Sequence, residues 1–256
     1  MIPLRDSIPS RTIPFVNYAM IAICSLVFLA QLTAKDGGRK LIEQFGMVPA
    51  RVSNPDVESI VIEQRVAVPT DRGIQEQIIR QELAPAAIAP VLTIITCMFL
   101  HGGWMHFLGN VWFLYVFGDN VEDRLGHIGY LLMYLATGVL ASLAHLLTGP
   151  ESPIPTIGAS GAIAGVMGAY AWLYPHSKVL ALLPLIVIMQ TFVLPAPIFL
   201  LIWFGFQIYN GVAAAASGAA GGVAWWALVG GFVGGAAVAL MVGRSNVPDD
   251  ASNQKF

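Results

Sequence analysis

Charge is what this sequence has least of. Its 13 lysines and arginines and 15 aspartates and glutamates make up 11% of 256 residues, against about 25% in a soluble domain. With 56% hydrophobic residues and a mean hydropathy of +0.70, that scarcity excludes an ordinary soluble fold. It leaves a polytopic membrane protein with helix packed on helix. A formal net charge of -2 gives no basic surface, so no nucleic-acid partner is expected. Cysteine is scarce too. Cys24 and Cys97 sit in separate apolar stretches, which gives no CxxC site and no disulfide framework. Both read as small buried hydrophobes. No metal-ligand cluster and no cofactor motif stands out. Arg5 and Arg11 precede the first apolar run, but no cleavable small-residue site follows it. That run therefore reads as a retained helix and not as a signal peptide.

What is present is a series of apolar runs. Pro14 to Thr33 has no charge and, at about 20 residues, is long enough to span a bilayer core. The second to sixth spans are read at Trp104 to Phe117, Ile128 to Leu147, Ile157 to Tyr174, Pro197 to Tyr209 and Val223 to Val242. Gly118 to His127 reads as a charged hairpin, Gly149 to Pro155 as a Pro-rich loop and Pro175 to Val179 as a polar turn. Pro90 to Leu100, and the run from Ala181 up to the fifth span, read as interfacial segments. The long stretch 35–89 carries most of the charge and reads as an extramembrane loop, with a strand at Val57 to Val68 and an amphipathic helix at Gly73 to Leu83. The expectation is one domain, 1–242, followed by a polar tail, 243–256.

Six spans put both termini on one side of the membrane. Short loops on that side hold Arg124, Lys178 and Arg244, whereas those on the other, 149–155 and 210–222, hold no lysine or arginine. This asymmetry predicts cytoplasmic termini. A transporter or channel would place charges inside its spans; none lies in 14–33 or 157–174.

Three groups of residues suggest chemistry. His106 and Asn110 are four apart, so they share a helix face. Both can donate hydrogen bonds to one point, although such a pair also serves as glue between helices. Ser160 stands between Gly158 and Gly161 at the start of a predicted helix. The exposed N–H groups and positive dipole end there favour a developing oxyanion. A lone serine in a membrane helix more often bonds a carbonyl one turn back. Gly161 and Gly165 form a small-residue stripe that matches Gly231 and Gly235 on the last span. Paired stripes let helix backbones approach closely, with or without chemistry.

The runs HGGWMHFLGNVWFLYVFGDNVEDRLGH, PTIGASGAIAGVMGAY and GVAWWALVGGFVGG together resemble the rhomboid family of intramembrane serine proteases, bacterial type. The RDSIP opening and PAPIFLLIWFGFQ are also similar, and the likeness covers about residues 3–242. The resemblance implies an all-α six-transmembrane-helix bundle around a water-filled cavity, with the first loop partly embedded beside it. It implies Ser160 as the nucleophile, and His106, Asn110 and the Ser160 N–H as the oxyanion site. It also implies a Ser–His dyad that cuts transmembrane protein substrates, in a bacterial inner membrane.

One position departs from the pattern. The family's general-base histidine lies three residues before the first glycine of the last-helix GxxxG, and here that residue is Leu228. Leucine accepts no proton, and an unassisted serine is a weak nucleophile. His101 and His106 sit on the second span or its edge, His145 is near the outer end of the third, and His127 and His176 fall in turns expected a membrane thickness away. Neither His145 nor His106, which already has the oxyanion role, is expected to take over as base. Two readings result: a rhomboid-type endopeptidase missing its histidine, or a pseudoprotease that binds transmembrane clients without cutting them.

Overall fold

A computed structural model describes residues 1–57, 59–70, 73–185, 188–217 and 224–243. The tail 244–256 with Arg244, and 218–223 of the Gly/Ala-rich loop, lie outside the described residues. In chain order the elements are β1 (Ile2–Asp6), α1 (Phe15–Thr33), α2 (Arg39–Phe45), α3 (Pro49–Ser53), β2 (Val61–Thr70), β3 (Gly73–Glu82) and α4 (Thr93–Thr96). They continue with α5 (Trp104–Thr148), α6 (Ser160–Leu173), β4 (Lys178–Leu185), β5 (Ile188–Pro195), α7 (Ala196–Ser217) and α8 (Trp225–Val242). Helices α1, α5, α7 and α8 are each long and apolar enough to cross a membrane. The protein is a helical, multi-pass membrane bundle.

Helix α5 holds two of the expected spans. Gly126, at φ 70° and ψ 165°, breaks its helical backbone. The 118–127 segment is therefore no open hairpin: helix continues to Leu125 and the chain bends at one glycine. The acids there have work that keeps them helical. Helix α1 has no capping side chain of its own, and its first N–H groups need acceptors. Glu122 supplies them, accepting from Val16 N (2.9 Å) and Asn17 N (2.7 Å), while Asp123 accepts from Arg11 N (2.5 Å) and Thr12 N (2.9 Å). His127 Nδ1 meets Glu122 at 2.5 Å, at the opposite end of the bundle from Ser160.

Two predicted elements change type. The 73–83 stretch is a strand: β3 pairs residue for residue with β2, from Val61↔Glu82 to Thr70↔Gly73. Ile78 and Ile79 are both exposed, so they give a helix no buried stripe, and the ladder's backbone bonds decide. The run before the fifth span is a hairpin of β4 and β5, with Pro184 opposite Met189; prolines at 184 and 195 deny it a helix. Helix α7 then runs on beyond Tyr209 to Ser217.

The hairpin joins β1 in a sheet ordered β1-β4-β5. This fixes the RDSIP opening against the bundle. Asp6 accepts hydrogen bonds from Tyr170 on α6 (2.5 Å) and from Asn120 Nδ2 on α5 (2.8 Å), and Trp112 Nε1 donates to Pro3 O at 2.5 Å. Burial first, and then the charge of Asp119, push the Asp6 carboxyl up to about 7, against the Tyr170 bond that lowers it. The ordinary value is 3.8, so between pH 4 and 7 the folded chain binds a proton that the unfolded chain has released. Asp6 thus makes stability fall as pH rises through that window. Asp6→Asn is expected to flatten this fall, measured as the change in detergent-solubilised melting temperature between pH 4.5 and 8; an equally steep variant would count against it.

Candidate active site

Helix α6 positions Ser160 by being short. Its 14 residues span about 21 Å, while a bilayer core is about 30 Å thick. Its far end is anchored by Tyr170 to Asp6, and Tyr174 just beyond it donates to Asn120 O at 2.7 Å. The Ser160 end therefore stops short of the other surface. The span begins at Ser160 and not at Ile157, because 149–159 descends as a loop. That loop is tied to its neighbours: Gly158 N donates to Cys97 O at 2.8 Å, and Thr156 and Met47 exchange backbone bonds of 2.7 and 3.0 Å.

Ser160 lines a cavity of about 190 Å³, shared with His106, Asn110 and Phe113 of α5, Ile163 and Met167 of α6, and Trp203 of α7. His106 and Asn110 thus face the same space as the Ser160 side chain. As the first helical residue, Ser160 also has an N–H without an intrahelical acceptor. Asn110 is 8% exposed, and its buried Nδ2 has no hydrogen-bond partner. A buried amide left unpaired is costly, and its N–H groups are free to meet an oxygen that enters the cavity.

The tautomer of His106 follows from its surroundings. Gly102 N–H donates to His106 Nδ1 at 3.3 Å, so in the neutral ring the proton sits on Nε2. That nitrogen points at Gly158: a β-carbon there would lie 2.6 Å from His106 Nε2 and 3.6 Å from Ser160 Oγ. With φ at +121°, Gly158 is both a backbone necessity and the slot that admits the imidazole. His106 therefore presents a donor to the cavity, the role required of an oxyanion ligand and the reverse of a base. The sequence marked Gly158 as a flank of Ser160. The slot, the Gly102 bond and the Trp203 wall were not read from it, although HGG and GAS carried the signal.

Helices α6 and α8 run parallel in tight contact. A β-carbon on Gly231 would collide with the Gly161 carbonyl, one on Gly235 with the Gly165 carbonyl, and one on Gly168 with the Phe232 carbonyl. On α6's other flank Gly161 faces Ala141 and Gly165 faces Thr137 of α5. This register puts the first turns of α8 beside the start of α6. Leu228, one turn before Gly231, is 6% exposed and packs in the same core as Ala159 and Ile163. Leu228 thus puts a hydrocarbon side chain in the part of α8 that adjoins the start of α6.

Of the five histidines, His106 alone lines the Ser160 cavity. His145, half-buried with an unpartnered Nδ1, stands one turn beyond Ala141 and does not line the Ser160 cavity. His101 is 1% exposed and stacks edge-on against His106, with ring centroids 5.5 Å apart. His176 is exposed in the turn after α6. Among the described residues no group of three or more His, Cys, Asp or Glu side chains is placed to hold a metal ion.

A family model described as the Rhomboid domain matches residues 89–245. Over 72 residues the chain is 43% identical to Rhomboid-like protein 11, chloroplastic, of Arabidopsis thaliana, covering 28% of this chain and 25% of that protein. It is 41% identical over 76 residues to Rhomboid protease GluP of Bacillus subtilis (strain 168), covering 30% and 14%. It is 29% identical over 109 residues to Putative rhomboid protease YdcA of the same organism, covering 39% and 54%. The chain thus spans from about a seventh to about half the length of these relatives. The domain match takes in more than half of the chain, from the segment before α5 to the end of α8, and with it the chain belongs to the rhomboid family.

Proposed function

We propose that this chain is a rhomboid pseudoprotease that binds transmembrane segments of client proteins beside the Ser160 cavity without cutting them efficiently. The carrying observation is Leu228, buried in the core where α8 meets the start of α6. The client class follows from the site's surroundings. The cavity is flanked by Phe113 and Trp203, with ring centroids 6.4 Å apart, on helices that present exposed apolar faces such as Leu201, Ile202 and Phe206. A hydrophobic segment in the bilayer is the ligand that such faces suit.

The second reading, a rhomboid-type serine endopeptidase, is favoured by one observation: Ser160, His106 and the unpaired Asn110 amide line one cavity. A photocrosslinker in place of Trp203 separates the two readings. The pseudoprotease is expected to trap an intact single-span reporter in native membranes, equally in a Ser160→Ala background. A shortened reporter whose cleavage disappears with Ser160→Ala would establish the endopeptidase instead. We further assign the chain to a bacterial inner membrane with both termini in the cytoplasm. The orientation is supported by the lysine and arginine asymmetry of the short loops, together with β1 lying at the same end of the bundle as the Gly126 bend; the bacterial membrane rests on the sequence resemblance alone.

A further inference from the structure

A second concavity lies on the flank of α1, away from Ser160. Ile23, Val27 and Ala30 of α1 face Leu41 and Phe45 of α2 across about 320 Å³, and the segment ending at Phe99 and Leu100 closes it. The spacings explain the walls: i, i+4 and i+7 form one stripe on α1, and i, i+4 one face of α2. Its one polar side chain, Thr96, donates its hydroxyl to Phe45 O at 2.7 Å. The wall therefore offers nothing to a polar ligand, which would forfeit its hydrogen bonds on entry. One turn of an α-helix, about 10–12 Å across, already exceeds this space, so a client helix does not fit.

We propose that this pocket binds one acyl chain of an anionic phospholipid. The depth is right for a chain hanging from a headgroup. Ile23 to Ala30 covers about 10 Å of α1, ending one turn below the helix terminus. Beyond that end, Lys35 in the α1–α2 connection and Arg39 and Lys40 in the first turn of α2 are all exposed. The acid among them, Asp36, is exposed and accepts from Gly38 N (3.2 Å) and Lys40 N (2.7 Å), which leaves three cations against one acid in 35–40. Arg39 approaches Glu43 at 3.7 Å and remains 64% exposed. Arg39 and Lys40 stand in the first turn of α2, just before the lining residue Leu41, and their side chains are long enough to reach a headgroup at the mouth of the pocket. Lipid tails are as apolar as this wall, so hydrophobicity alone does not select an occupant from the bilayer. The phosphate at the cationic rim does.

The pocket is continuous with the active-site loop. Phe99 and Leu100 lead directly into His101, whose backbone exchanges two bonds with Gln31 on α1: Gln31 Nε2 to His101 O at 2.9 Å, and His101 N to Gln31 Oε1 at 3.0 Å. Gly102 follows and donates to His106. An acyl chain here buttresses the loop that orients His106.

The test uses the full chain in nanodiscs of phosphatidylcholine doped with a phosphatidylglycerol that carries a diazirine in its acyl chain. After irradiation and digestion, adducts are expected in 23–30, 39–45 and 96–100. Ala30→Leu, which fills the pocket with a modest side chain, is expected to remove most of them at unchanged melting temperature, and Ala30→Trp more completely if it folds. The double variant Arg39→Gln, Lys40→Gln is expected to lower the preference over a phosphatidylcholine probe about tenfold. Adducts that persist in Ala30→Leu would overturn the pocket. Equal labelling by the two probes in the unmodified chain would overturn the anionic headgroup. Capture of the single-span reporter by a photocrosslinker at Ala30 would give the pocket to a client and overturn the lipid.

Discussion

Leu228→His is expected to turn the chain into a measurable serine hydrolase. Histidine is close to leucine in size, and Leu228 lies in the turn of α8 just before Gly231, whose added β-carbon would meet the Gly161 carbonyl, so the new imidazole would stand on the part of α8 that adjoins the start of α6. It would accept the hydroxyl proton as Oγ attacks a peptide carbonyl, then return it to the leaving amine. The carbonyl oxygen, now charged, would be met by donors already in place: the free Ser160 N–H, Nε2–H of His106 as fixed by Gly102, and the unpaired Asn110 amide. In soluble serine proteases a missing triad member costs most of the acceleration and leaves an oxyanion-hole remainder. A gain of about 10³-fold or more in cleavage of a transmembrane reporter is therefore expected. Labelling by a fluorophosphonate should rise in parallel, and both should vanish in Leu228→His, Ser160→Ala. No gain would mean that the donors do not converge on one oxygen, and the oxyanion assignment would fall with it.

Gly235→Val is expected to be the most damaging substitution in the bundle. The β-carbon it adds would run into the Gly165 carbonyl, on backbone that cannot rotate away as a side chain can. The two helices must part along their whole contact, which also carries Gly231 against Gly161 and Phe232 against Gly168. Overpacking typically costs about 1–3 kcal/mol, occasionally more. With backbone as the obstacle, the loss should lie at or above the upper end, a fall of about 6–12 °C in melting temperature. Gly243→Val, where an added β-carbon meets open space, tests positive φ without collision and should cost much less. Equal losses at the two positions would refute close helix approach as the cause.

These two expectations differ in how they could be read. The Gly231 and Gly235 stripe was legible in the sequence, because small residues at intervals of four have few other uses in lipid. The apolar spans were legible for the same reason: hydrocarbon leaves few ways to satisfy a backbone. The hairpin of β4 and β5 was not, since its nearly continuous apolar run has neither a period of two nor one of 3.6. The part played by Glu122 was hidden by distance, its partner Asn17 being 105 residues away. Asp123, read as solvated turn charge, caps the approach to α1 for the same reason. At the site, spacing grouped His106 with Asn110 and marked Ser160 by its glycines. The depth of Ser160 depends on where a loop ends and a helix begins, the boundary that periodicity defines least well.

The shortness of α6 also bears on the surrounding lipid. Eleven of its residues, from Gly161 to Tyr170 with Leu173, are buried by the other helices, so the bilayer does not meet its truncated end. The helices with exposed apolar faces, α1, α7, α8 and each half of α5, span about 27–33 Å and match an ordinary membrane. The deficit of about 9 Å at Ser160 is thus absorbed inside the protein and needs no dimple in the membrane. Hydrophobic mismatch acts on the outer ring of helices, so a thicker or thinner membrane would strain that ring while leaving the floor of the cavity where it is. Ser160 keeps its depth relative to the protein, and on the proposed function a client's membrane segment would shift against it when the lipid changes.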